Sequence, residues 1–182
     1  MVAEGDICLQ LSRFVARLAD KHTDPDVVFA LRMAQTGLAA LDQPPAPAPA
    51  LAVIGPTQTG KSTVVNVIAG GDYVEVSPLA AHTRRAAVLA VNLDHDGRVA
   101  VSPFIGELAA DCRPVSADGP PCLIWDTPDF DSNASAAYRH QVAQVCALVD
   151  LVVVVLSKEK YADQSVWTVL EGIAPLQIPA VV

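Results

Sequence analysis

The chain has 182 residues, which suits one domain or one domain with an accessory segment. Hydrophobic residues make up 52% of it, so a large buried core is expected, and a net charge of −8 argues against a surface for nucleic acid or anionic membranes. The longest apolar run, over residues 145–156, is interrupted by Asp150 and is too short to cross a bilayer. The cysteines and histidines show no metal-ligand spacing, and the acidic start lacks the basic region of a signal peptide. We therefore predict a cytoplasmic protein with reduced thiols.

The N-terminal segment predicts two helices. Residues 6–42 carry two apolar stripes at helical spacing, and Asp24 followed by proline is typical of a helix start. Alternating proline and alanine then predict a stiff, extended connector. We predict a helical hairpin in residues 1–43, a linker in 44–50 and a second domain in 51–182. The hairpin packs on the second domain or on a second copy of itself in a homodimer.

The most informative motif begins after a short apolar run, residues 51–54, which predicts a buried parallel strand. Residues 55–62 fit the pattern G-x-x-x-x-G-K-[ST], a loop whose backbone N–H groups surround the phosphates of a nucleotide. The next residues predict a helix that ends before Gly70. Lys61 is expected to reach the β- and γ-phosphate oxygens, and the Ser62 hydroxyl to bind Mg²⁺. The predicted nucleotide-binding residues are Gly55, Pro56, Thr57, Gln58, Thr59, Gly60, Lys61, Ser62 and Thr63.

Strand and helix signals alternate along the rest of the chain, which predicts an α/β fold with a mostly parallel sheet. The predicted elements are strands at 86–93, 98–101, 122–125, 148–156 and from 178 onward, and helices at 133–147 and 164–173. The first two of these strands are predicted to form a hairpin. Residues 102–121 contain four prolines and are predicted to be irregular, without an assigned function.

A second candidate site residue, Asp126, directly follows the strand at 122–125. A carboxylate at the C-terminal end of a strand beside such a loop can bind Mg²⁺ through a water molecule. Aspartate at a strand end also commonly forms a turn, so the motif alone leaves both roles open.

The order of the glycine loop, a threonine at 83 and Asp126-Thr127-Pro128 resembles the TRAFAC-class P-loop GTPases, above all their Era-like and dynamin-like branches. The resemblance covers residues 51–182. It implies a P-loop NTPase three-layer α/β sandwich, with GTP or GDP as ligand and Mg²⁺ held by Ser62, Thr83 and Asp126. It also implies catalytic roles for Lys61 and Thr83. An ordinary place for Thr83 at a strand edge is the alternative.

Two positions depart from the family pattern. The glycine that ends the family's D-x-x-G motif is replaced by Asp129, whose charge is repelled by a γ-phosphate at short range. The next residue is Phe130, where some relatives use glutamine to orient water, and phenylalanine has no hydrogen-bonding group. Asp129 therefore argues against the usual γ-phosphate switch, and Phe130 predicts slow or assisted hydrolysis.

The family's guanine-reading motif, N-K-x-D, does not occur in the sequence. We expect it to follow the strand that starts near residue 178, in a longer protein, so guanine specificity is implied by the resemblance alone. Three functions stay open: a Mg²⁺-dependent GTPase acting as a switch or in a dynamin-like manner, a nucleotide-gated interaction module with negligible hydrolysis, and an ATP-binding P-loop protein.

Overall fold

The computed structural model describes residues 4–24, 48–76, 86–93, 109–130 and 135–182, together with residues 27, 28, 30–32, 34, 35 and 38. The elements are α1 (Glu4–Ala19), β1 (Ala50–Ile54), α2 (Lys61–Ala69), β2 (Ala86–Val91), β3 (Ala109–Val115), β4 (Cys122–Asp126), α3 (Ser135–Cys146), β5 (Leu151–Val154), α4 (Gln164–Ile173) and β6 (Ala180–Val181). A short 3₁₀ helix, Ala174–Leu176, follows α4.

The strands form one six-stranded sheet in the order β3-β2-β4-β1-β5-β6. Strand β1 runs parallel to both of its neighbours, β4 and β5, and β5 runs parallel to β6. Strands β2 and β4 are antiparallel. Because β1 and β4 run the same way, with Val53 opposite Asp126, their C-terminal ends lie side by side at one edge of the sheet. This confirms the predicted mostly parallel sheet.

Helices cover both faces of the sheet, which confirms the predicted three-layer α/β sandwich. Side chains along a strand point alternately to opposite faces. In β1, Ala52 and Ile54 accordingly belong to the cluster that includes α3 and α4, whereas Val53 belongs to the cluster that includes α2. All three side chains are fully buried. The core therefore holds β1 rigidly at the point where the loop 55–62 begins.

Strand β3 shows that the prediction of an irregular segment at 102–121 is wrong for part of that segment. Residues 109–115 lie in the stretch predicted to be irregular, yet they pair with β2 along its outer side and run parallel to it. An edge strand has one neighbour, so exposed polar side chains and Pro114 are tolerated in it. Because of these residues, the sequence of β3 lacks the regular hydrophobic pattern by which a strand is predicted. The predicted hairpin through 94–101 lies outside the described residues.

The N-terminal segment contains α1 and a second group of helical residues between 27 and 38. The two are joined by an ion pair between Asp20 Oδ1 and Arg32 Nη2 at 2.6 Å, and the Ser12 hydroxyl donates to the Gln35 carbonyl at 3.4 Å. These contacts agree with a helical hairpin. Most of the predicted linker lies outside the described residues, so the division into domains stays a prediction. Within the described ranges, no helix is long and apolar enough to cross a membrane.

Candidate nucleotide-binding site

The loop 55–62 leaves the buried end of β1 and enters α2 at Lys61. Its first glycine is required by a close approach, because a Cβ atom at Gly55 would lie 2.3 Å from the Val155 carbonyl oxygen. Its second glycine, Gly60, has φ +90°, a left-handed conformation that side chains disfavour. Gln58 also has a positive φ of 60°. The loop therefore makes a tight turn that directs the chain into the helix.

Inside this loop, two side chains fold back onto one carbonyl oxygen. The Thr59 hydroxyl and the Lys61 ammonium group both donate to the Pro56 carbonyl, each at 2.9 Å. Lys61 is only 6% exposed. Of the other predicted binding residues, Thr57 is half-buried, and Gln58 and Thr63 are exposed.

Ser62 and Asp126, the two described residues predicted to bind Mg²⁺, are in contact. The Ser62 hydroxyl donates to Asp126 Oδ2 at 3.0 Å, from the first turn of α2 to the C-terminal end of β4. The other carboxylate oxygen, Oδ1, is buried and has no hydrogen-bond partner among the described residues. Burial raises the pKa of Asp126 to about 6, and the nearby Asp129 adds to this, while the hydrogen bond from Ser62 and the charge of Lys61 oppose it. A buried carboxylate oxygen without a partner is a suitable ligand for a cation or its water shell.

The described residues contain no group of three or more His, Cys, Asp or Glu that could hold a metal ion. Mg²⁺ does not need one, since it keeps several waters and shares substrate phosphates, with one or two protein ligands. The hydroxyl of Ser62 and the carboxylate of Asp126 fit this donor set. The third predicted ligand, Thr83, lies outside the described residues.

The segment after β4 is tied down beside the loop. The Thr127 hydroxyl donates to the Val53 carbonyl at 2.8 Å, and Thr127 and Phe130 are both buried, at 0% and 1% exposure. Between them, Asp129 Oδ1 forms an ion pair with the ammonium group of Lys61. The sequence predicts Asp129 near the γ-phosphate, but it does not predict this ion pair. The sequence places Asp129 three residues after Asp126, near the loop, but it does not show which nearby group pairs with Lys61.

Asn66 is another residue that the sequence analysis missed. From α2 its Oδ1 accepts the backbone N–H groups of Tyr73 and Val74, at 3.0 and 2.8 Å, and its Nδ2 donates to the Val74 carbonyl at 2.8 Å. Asn66 is 6% exposed. Residues 64–69 of α2 are otherwise apolar, and a lone polar residue in such a run is the signal that could have identified Asn66.

Comparisons with known proteins agree with this geometry. The family of 50S ribosome-binding GTPases matches residues 50–181. No curated protein gives a significant match. Among solved structures, a variant of Era from Aquifex aeolicus bound to GDP·AlF4⁻ is 19% identical with a TM-score of 0.50, and the match covers 72% of this chain and 38% of that one. Era in complex with MgGDPNP and nucleotides 1506–1542 of 16S ribosomal RNA is 18% identical with a TM-score of 0.51, covering 74% and 39%.

A bacterial dynamin pair that senses and tethers membranes is 11% identical with a TM-score of 0.33, over 97% of this chain and 38% of that one, which is too distant to support an argument. The two Era structures establish the fold alone, and this chain spans less than two fifths of their length. The family match covers most of the chain and agrees with the prediction made from the P-loop and Asp126. The chain therefore belongs to the family of 50S ribosome-binding GTPases.

Proposed function

We propose that this chain binds a guanine nucleotide with Mg²⁺ and hydrolyses its terminal phosphate, acting as a molecular switch. The observation that carries the proposal is the contact between the Ser62 hydroxyl and Asp126, whose buried second carboxylate oxygen has no hydrogen-bond partner among the described residues. These side chains come from different elements and converge where the glycine loop enters α2. A phosphate-binding loop beside a hydroxyl and a carboxylate is the arrangement that a magnesium–nucleotide complex requires.

Binding of the phosphates is assigned to the backbone N–H groups of residues 55–62 and to the N-terminus of α2, whose first N–H groups and helix dipole attract anions. Lys61 adds a full positive charge from a largely buried position. Because the site is partly shielded from water, this charge interacts more strongly with phosphate than it would at the surface.

Ser62, Asp126 and Thr83 are proposed to hold Mg²⁺, Asp126 through a water molecule. The ion would neutralise charge on the β- and γ-phosphates. Lys61 is also proposed to neutralise charge on the β- and γ-phosphates. Thr83 is proposed to lie on the γ-phosphate side of the site. Catalysis by these groups comes mainly from positioning and charge neutralisation.

Slow or assisted hydrolysis is expected because of Phe130. Its side chain is 1% exposed and packs in the hydrophobic core, so it neither reaches the site nor hydrogen-bonds to water. This observation favours a second candidate function, a nucleotide-gated interaction module with negligible turnover. An ATP-binding P-loop protein is the third candidate, because a phosphate-binding loop contacts the phosphates and does not read the base.

The guanine nucleotide is the proposed ligand, and self-association into a homodimer, in a dynamin-like manner, is a further proposal. In support, α1 exposes three large apolar side chains, Ile7, Leu11 and Phe14, at 48%, 45% and 52%. A cytoplasmic location is proposed because Cys112, Cys122 and Cys146 form no disulfide bond among the described residues.

The central test is Lys61→Ala in the purified protein, with Lys21→Ala as the control, since Lys21 is an exposed residue after α1. We expect Lys61→Ala to abolish binding of fluorescent GDP while circular dichroism stays unchanged, and Lys21→Ala to bind normally. Unchanged affinity in Lys61→Ala would refute the proposal. Competition between GTP and ATP then tests base specificity, and single-turnover phosphate release above the buffer rate argues against the inert module.

A further inference from the structure

Asp129 occupies an unusual position, because its carboxylate forms an ion pair with the lysine of the phosphate-binding loop. The side chains of Lys61 and Asp129 are 6% and 15% exposed, so the pair is largely shielded from water. Shielding strengthens the attraction and makes separation of the charges costly. The phosphate site thus already contains one anionic group supplied by the protein.

The backbone around Asp129 holds this anion in place. Pro128 precedes it and is buried, Phe130 follows it and is 1% exposed in the core, and the Thr127 hydroxyl is bonded to the Val53 carbonyl. Moving the segment away would expose the phenylalanine and break a buried hydrogen bond. The carboxylate can therefore leave Lys61 mainly by rotation of its own side chain.

The donors of Lys61 set a limit on what else it can bind. An ammonium group has three N–H donors. Among the described residues, the Pro56 carbonyl uses one of them and Asp129 another, which leaves one for a ligand. One donor is sufficient for the terminal phosphate of a diphosphate. A lysine that contacts both the β- and the γ-phosphate needs two, so the second contact requires release of Asp129.

We propose that Asp129 is a specificity-determining residue, whose carboxylate takes the place of a terminal phosphate beside Lys61 and makes the site prefer nucleoside diphosphates over triphosphates. The inference rests on the proposed nucleotide-binding function. A triphosphate must replace this charge-assisted hydrogen bond and brings its γ-phosphate directly against the carboxylate, whereas a diphosphate leaves the bond in place and meets the carboxylate only across the shared ammonium group. The loss of one such hydrogen bond corresponds to about tenfold in affinity or more.

The test measures dissociation constants for GDP and a non-hydrolysable GTP analogue with Mg²⁺ by isothermal titration calorimetry. The variant Asp129→Asn removes the charge at nearly constant shape. The matched control is Asp118→Asn, the same charge change at an exposed residue. Asp118 precedes the N-terminal end of β4, whereas Asp129 follows its C-terminal end. We expect the triphosphate-to-diphosphate ratio of dissociation constants to fall about tenfold or more in Asp129→Asn, and to stay at the wild-type value in Asp118→Asn.

A ratio that is unchanged in Asp129→Asn overturns the inference while the proposed function stands. Wild-type protein that binds the triphosphate analogue as tightly as GDP also overturns it, and this result needs no variant. Asp129→Ser replaces Asp129→Asn if the latter does not fold.

Parallel titrations with ADP and an ATP analogue distinguish recognition of the base from recognition of the phosphates. Preference for adenine overturns the guanine proposal, while the same change of ratio still supports the role of Asp129. If wild-type protein binds no nucleotide at all, the proposed function and this inference both fail. Melting of the nucleotide-free protein gives an independent readout, since Asp129→Asn is expected to lower the midpoint and Asp118→Asn to leave it unchanged.

Discussion

Replacing Gly55 by alanine tests whether the phosphate-binding loop is packed as tightly as the structure indicates. The new Cβ would lie 2.3 Å from the Val155 carbonyl oxygen, where ordinary contacts begin near 3.4 Å, so the backbones must separate by roughly 1 Å. Val155 also donates its N–H to the Ile54 carbonyl at 2.8 Å, and this bond joins the end of β1, where the loop begins, to the residue that follows β5. Overpacking of this kind costs about 1–3 kcal/mol, and weakening the hydrogen bond adds about 1 kcal/mol.

The expected destabilisation is therefore about 2–4 kcal/mol, or a fall of roughly 5–15 °C in melting temperature for a domain of this size. Thermal unfolding is followed by circular dichroism without nucleotide, so that ligand binding does not mask the effect. Gly60→Ala is the control, because a Cβ there meets nothing within 4 Å and only the positive φ opposes it, at about 1–2 kcal/mol. A Gly55→Ala protein that melts within 2 °C of wild type, or above Gly60→Ala, would refute the reasoning.

Three further predictions concern other parts of the molecule. Ser62→Ala is expected to weaken Mg²⁺-dependent nucleotide binding about tenfold, since one proposed Mg²⁺ ligand is lost. Calorimetry in EDTA is the control, and an equal loss there would contradict the proposed metal role. Asn66→Ala leaves backbone groups of residues 73–74 unpaired and should lower the free energy of unfolding in urea by about 2–4 kcal/mol. Asn66→Asp keeps one acceptor but places a buried carboxylate oxygen against the Val74 carbonyl, so it should also be destabilised, and unchanged stability in either variant would argue against these bonds. Burial raises the pKa of Cys146 to about 12, so iodoacetamide at pH 8 should modify half-buried Cys122 well before Cys146, which mass spectrometry of the peptides can check.

Much of the site could be predicted from the sequence because its chemistry follows from local spacing. The glycine loop needs only eight consecutive residues to be recognised, and the strand before it is apolar throughout. Asp126 could be placed beside the loop because it ends a second apolar strand, and parallel strands bring their C-terminal ends to one edge of the sheet. The contact between Ser62 and Asp126 is consistent with this reasoning.

Other features depend on pairings that local patterns do not carry. Strand β3 has a mixed polar sequence, and its partner β2 specifies it through backbone hydrogen bonds rather than through an apolar face. The ion pair between Lys61 and Asp129 joins residues 68 positions apart. The sequence shows that both charges lie near the site, but which of the nearby groups becomes the partner of the lysine depends on the packing of the segment between them.

The segment 126–130 explains how charge at this edge of the sheet can change while the fold is kept. Thr127, Pro128 and Phe130 are buried, Thr127 is hydrogen-bonded to Val53 in β1, and Phe130 packs in the core. Asp126 and Asp129 contact Ser62 and Lys61 instead. A substitution at position 129 therefore alters the charge next to the loop lysine with little effect on the path of the backbone. A substitution of Phe130 would alter both the path of the backbone and the position of the charge next to Lys61, because it removes the core contact that holds Asp129 in place. For this reason the chemistry of the phosphate site is best probed at Asp129, and the stability of the segment at Phe130.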